Sequence, residues 1–172
     1  MYLPRSGHWL RWEPGERILT FARNPDGALV LMTDRALRHQ LGHGWSRIGW
    51  ELVSRVTWDD DRHILALTDV ATGQAAEIAL HAADGPRLID LARERVASIF
   101  LLSTMVALTD HGAARVTARR QPGLDRTLWL DLGGDADPAD PTVRAEIATA
   151  IARLRTHFEV SGEGVGVSGR PG

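Results

Sequence analysis

Neither cysteine nor lysine occurs anywhere in the 172 residues. Without thiols there can be no disulfide, no thiolate zinc site, no iron–sulfur cluster and no cysteine nucleophile. All 20 basic residues are arginine, which excludes Schiff-base chemistry on lysine and the phosphate-loop lysine of nucleotide hydrolases. The arginine and alanine excess, with Asn24 as the single asparagine, reads as the coding bias of a GC-rich genome. An excess of one charge is missing too. Residues 1–82 hold nine arginines against ten acids, and 83–172 hold eleven against twelve, so neither half makes the broad positive field of a nucleic-acid module. Long hydrophobic runs are also absent. Pro4, Arg5, His8 and Arg11 interrupt the first residues, so no signal peptide is expected. The longest uncharged stretch, Val96–Leu108, has 13 residues, against roughly 18 or more for a membrane span. It is expected to be buried core. A cytoplasmic, non-transmembrane protein follows as the expectation.

Ordinary proportions fill the rest: 44% hydrophobic and 24% charged residues, the composition of a globular domain. The length suits one compact core or two small lobes sharing one. From Glu16 onward, short apolar runs alternate with turn signals. Ile18–Phe21 and Ala28–Met32 flank Asn24-Pro25-Asp26-Gly27. Arg35–Leu41, Trp45–Trp50 and Leu52–Trp58 follow, broken at 42–44. Asp59-Asp60-Asp61 is the next turn, and His63–Thr68 and Gln74–Leu80 flank Ala71-Thr72-Gly73. Six or seven strands before residue 82 predict a small antiparallel barrel or sandwich.

At Asp84 the apolar period changes to a helical one, with Asp84 as a cap and Pro86 in the first turn. Leu88, Leu91, Ala92, Val96, Ile99 and Phe100 recur over about four turns. Charges cluster early in this helix, so its second half is expected to be the more buried. Met105–Leu108, Ala113–Arg119 and Thr127–Leu132 then read as three strands, turning at Asp110-His111-Gly112 and Gln121-Pro122-Gly123. Asp140 and Pro141 open a last helix whose stripe of Val143, Ile147, Ile151, Leu154 and Phe158 should cover those strands. Residues 161–172 read as a flexible glycine-rich tail. The expected class is α+β: a lobe of residues 1–102 with a capping helix, then a β-meander and helix over 103–160 packed on it.

Three pieces of sequence carry a resemblance: Gly15-Glu16-Arg17-Ile18-Leu19, Leu31-Met32-Thr33-Asp34-Arg35-Ala36-Leu37, and Trp45-Ser46-Arg47-Ile48-Gly49-Trp50 before Val53–Trp58. In these, residues 15–102 resemble bacterial pleckstrin-homology-like (PH-like) domains. The resemblance implies a seven-stranded bent sheet closed by a C-terminal helix, which the helix after Asp84 would supply. More loosely, the chain to residue 158 resembles a group of uncharacterised proteins of high-GC Gram-positive bacteria. Lysine-rich loops serve the phosphoinositide-binding eukaryotic members, and this chain has no lysine.

Candidate sites are few. His39 and His43 are four apart but straddle Gly42, so a hairpin is expected in place of a helical zinc pair. Asp135, Asp137 and Asp140 lack the spacing of a calcium loop and read as a turn and an N-cap. Asp59–Asp61 likewise suits a turn. Ser46, Ser98 and Ser103 lack the nucleophile elbow, and the glycines of 163–167 do not form a dinucleotide fingerprint. No cofactor or metal is expected. Of six tryptophans, Trp45, Trp50 and Trp58 are expected in the core, whereas Trp9 and Trp12 are candidates for a surface patch. Arg115, Arg119, Arg120 and Arg126 gather on one hairpin, with Arg115 and Arg119 on one face by the period of two. That face would suit a carboxylate or phosphate. The expected function is therefore non-enzymatic protein interaction or scaffolding, with another protein as partner and no nucleic acid. A peripheral binder of an anionic ligand or lipid headgroup through the arginine hairpin is the alternative, and an enzyme with a site not readable from sequence is a third. Homo-oligomerisation is left open.

Overall fold

The computed structural model describes residues 12–110, 112–124, 126–134 and 140–162, without side-chain detail at 131–134 and 158–162. Its elements are β1 (Ile18–Arg23), β2 (Leu29–Thr33), β3 (Ala36–Leu41), β4 (Gly44–Gly49), a single 3-10 turn (Trp50–Leu52), β5 (Val53–Asp59), β6 (Ile64–Asp69), β7 (Ala75–Ala79), α1 (Gly85–Ile99), β8 (Phe100–Leu108), β9 (Gly112–Arg120), β10 (Thr127–Gly134) and α2 (Pro141–Gly162). The class is α+β, with antiparallel pairing in both sheets of the first half. Sheet orders are β1-β2-β3-β4, β5-β6-β7 and β10-β9-β8. The chain forms two compact units, one of residues 1–101 with 118–128, the other of 102–117 with 129–172.

Turn chemistry sets the hairpins of the first unit. Asn24 accepts the Gly27 and Ala28 amides, the second through its side chain at 2.7 Å, and Gly27 takes the left-handed conformation (φ 82°) that only glycine adopts without strain. Asp59 Oδ1 accepts the amides of Asp61 and Arg62, and Asp69 Oδ1 those of Ala71 and Thr72. The expected turns at both places are present. His39 lies on β3 and His43 in its two-residue turn to β4, the hairpin that the glycines predict.

Between the two sheets lies a core of Val30, Met32, Leu37, Trp50, Val53, Leu65, Leu67, Ile78 and Leu80, closed by Leu88, Ile89, Ala92 and Ile99 of α1. Trp50 is fully buried and donates its indole N–H to the Thr33 carbonyl at 2.9 Å. Trp58 packs at the margin of this core and Trp45 is half-buried. A side chain at Gly85 would meet the Trp58 ring at 2.3 Å, so helix α1 approaches that ring as closely as glycine permits.

Two expectations about α1 are corrected. Its first half is the more buried: Leu88, Ile89 and Ala92 are buried there, and only Ile99 beyond Val96. Asp84 stands at the cap, but its carboxylate accepts Arg87 at 3.0 Å and makes no bond to a helix amide. The segment Val96–Leu108 is not a continuous core either. It divides into the end of α1 and the nine-residue strand β8, where burial alternates and Phe100 and Met105 are exposed. Lack of charge misled here, because a strand turns alternate residues outward whatever their polarity.

In the second unit, Val143 and Ile147 of α2 are buried with Leu108, Ala114 and Val116, and Ile151, Leu154 and Trp129 pack around them. The α2 stripe from Val143 to Leu154 thus covers the strands, as its spacing predicts, and the Phe158 side chain lies outside the described residues. Asp140 Oδ1 accepts the Thr142 amide at 2.7 Å, a side-chain N-cap with Pro141 following. Helix α2 extends through Gly162, two residues into the expected tail. Asp135, Asp137 and 163–172 lie outside the described residues.

Candidate functional site

The outer face of the first sheet carries a buried ion network. Glu16, whose side chain is 0% exposed, is gripped at both oxygens by Arg38, at 3.0 and 2.6 Å, and also accepts the Thr33 hydroxyl at 2.7 Å. Burial by itself raises a carboxyl pKa, but the hydrogen bonds from Arg38 and Thr33 outweigh it and hold Glu16 at about 2. Arg35 reaches Glu13 at 3.2 Å and the Pro14 carbonyl at 2.7 Å, and Arg47 lies between Glu13 at 2.9 Å and Glu51 at 3.8 Å. The turn Gln121–Leu124 has Pro122 and then Gly123 at φ 78°, and a side chain on Gly123 would stand 2.2 Å from the Arg35 guanidinium. The Arg38 guanidinium lies 5.5 Å above the Trp12 ring.

A cleft of about 400 Å³ opens between the two sheets of the same unit, bounded by β3 and β4 on one side and β6 and β7 on the other. Leu41, Ile48, Leu52, Leu67 and Ala76 supply its apolar lining, and His39, Ser46, Arg47, Asp69 and Gln74 its polar one. Register explains the arrangement. Leu37 pairs with Ile48 and faces the core, so His39 and its cross-strand partner Ser46, two residues along, share that face. Burial pushes the His39 pKa down, favouring the neutral imidazole.

The two-residue turn makes Leu41 and Gly44 a hydrogen-bonded pair, and therefore His39–Ser46 and Leu37–Ile48 as well. The intervening Trp45 and Arg47 turn their main-chain N–H and C=O groups away from β3, toward an edge that no strand pairs among the described residues. The edges of β1 and β5 each carry an arginine. Arg87 of α1 donates to the Phe21 carbonyl of β1 at 3.0 Å and to the Thr20 hydroxyl. Arg119 donates to the Val53 carbonyl of β5.

None of the described residues singled out from sequence as binding candidates lines this cleft. Trp9 lies outside the described residues. Trp12 is 43% exposed, with one face against Arg38. Arg119 is not held open for a carboxylate or phosphate: it is 5% exposed and spends Nη1 on a main-chain carbonyl, and burial lowers its pKa. Arg126 donates to the Gln121 side chain at 2.7 Å across its turn. Arg115 and Arg120 are exposed, the first in the second unit and the other in the first. Sequence reasoning missed Glu13, Glu16, Arg35 and Arg38. Their signal was present, since Glu16, Thr33 and Arg35 belong to the very motif pieces that carry the PH-like resemblance.

Among the described residues there is no group of three or more His, Asp or Glu side chains placed to hold a metal ion, and no helix long and apolar enough to cross a membrane. Compared with family models, curated proteins and solved structures, the chain matches none.

Proposed function

We propose that this chain is a non-enzymatic, cytoplasmic protein-interaction or scaffolding protein of bacterial type, whose first unit is a PH-like domain and whose partner, another protein, docks at the cleft beside β4. Support for the PH-like assignment comes from the order of elements, four strands, three strands and a helix. It comes also from the way the motif pieces meet: Glu16 binds Thr33, and Trp50 donates to the Thr33 carbonyl.

The observation that carries the functional reading is the cleft itself. Its apolar lining and its hydrogen-bonding groups lie next to a strand edge unpaired among the described residues, the combination that macromolecular partners exploit. Of the four arginines that the anionic-ligand alternative would use, Arg119 and Arg126 are engaged within the fold. Capture of partners from the native host's lysate, by the full chain and by a Leu52→Asp variant of unchanged unfolding midpoint, tests the proposal. The expected result is a captured protein that disappears with Leu52→Asp. Retention by that variant with loss on combined Arg115→Ala and Arg120→Ala, or binding to anionic vesicles instead, would overturn it.

A further inference from the structure

We infer that the cleft takes an extended segment of a partner protein as a fifth strand on β4, with an apolar side chain on the lining and a basic residue against Asp69. The inference rests on the protein-interaction function proposed above and specifies its chemistry.

Edges decide the conformation of the occupant. An unpaired strand edge in water is a template for another strand, and folded proteins block such edges unless they are used. In the first unit β1 is blocked by Arg87 and β5 by Arg119, each arginine donating to an edge carbonyl. No such plug lies on β4 or β7 among the described residues, and these are the two edges that border the cleft. An added strand would satisfy the main-chain groups of Trp45 and Arg47. Its side chains would alternate, one set turned toward Ile48, Leu52 and Ala76, the other toward solvent.

Charge decides the composition. Arg47 is already neutralised by Glu13 and Glu51, and burial favours neutral His39. Asp69 has no ion-pair partner among the described residues, and the hydrogen bonds its carboxylate accepts all fall on Oδ1, from Ala71 and Thr72. The uncompensated charge in the cleft is therefore negative and suits a cation on the partner.

Selection of displayed random decapeptides on the full chain tests this, followed by single-site N-methylation of a selected peptide. The expected sequences alternate apolar residues, contain Arg or Lys and lack Pro. N-methylation should abolish binding at every second residue and spare the residues between, since only one set of amides can face β4. Asp69→Asn, which keeps the Oδ1 acceptor, should weaken binding by roughly tenfold. Uniform tolerance of N-methylation, selection of proline-rich or acidic peptides, unchanged affinity with Asp69→Asn, or no selected peptide would overturn the inference. If lysate capture still depends on Leu52 in that event, the protein-binding reading stands without the added strand. If capture fails as well, both fall.

Discussion

The two units bury their residues by different means. The first encloses a large apolar core around Trp50 and, outside its four-stranded sheet, a network of charges in which Glu16 and Arg38 are almost wholly removed from water. The second relies on a much smaller set, Leu108, Ala114, Val116, Val143 and Ile147, and among its described residues no charged side chain is buried. A buried pair adds little net stability but makes the wrong arrangement expensive, because either partner alone is an uncompensated charge. The first unit should therefore respond steeply to changes in charge and pH, whereas the second should respond chiefly to lost volume.

The largest expected effect comes from breaking the pair. Arg38→Leu strands the Glu16 carboxylate and should cost about 3–5 kcal/mol in urea unfolding. A loss under 1 kcal/mol would mean that water reaches the pair and that the contrast between units is false. Acid titration of wild-type stability comes next. With Glu16 held at about 2 against an ordinary 4.5, its contribution is fully present above pH 4.5 and is lost as pH falls toward 2. The lowered folded-state pKa fixes that sign, and the amount is on the order of 3 kcal/mol. Glu16→Gln should flatten the slope in this window, and an unchanged slope would assign the acid sensitivity elsewhere.

Gly123→Ala is a smaller lever on the same unit. It places a side chain at positive φ and against the Arg35 guanidinium, for an expected loss of about 1–3 kcal/mol. Wild-type stability in this variant would show that the turn moves freely. In the second unit, Ile147→Val should cost about 0.5–1.5 kcal/mol. Hydrogen exchange should then accelerate in α2 and β8 while β2 and β3 keep their protection. Equal acceleration everywhere would show that the two units unfold as one.

Local chemistry was legible in the sequence. The Asn24–Gly27 and Asp59–Asp61 turns, the Asp140 cap and the α2 stripe each depend on residues within a few positions of one another, and the structure has them. Val96–Leu108 was misjudged because absence of charge says nothing about which way a strand faces, and Phe100 and Met105 face out. The ion network was illegible as a network, since Glu16 and Arg38 are 22 residues apart and only the β1–β2–β3 register brings them together. The cleft depends on something more remote still, namely which strands end as edges and which arginines cover them. Arg119 looked like a free cation on a hairpin, yet its partner is a main-chain carbonyl 66 residues away.

Chemical-shift mapping of the isotope-labelled chain, titrated with a peptide selected on it, tests the central claim most directly. The predicted result is perturbation concentrated on the amides of Trp45 and Arg47 at the β4 edge and on Leu52, Asp69, Gln74 and Ala76 around the cleft, with the β1 edge and α2 silent. Perturbation centred on Arg115, Arg120 or α2, with the β4 edge unmoved, would contradict it.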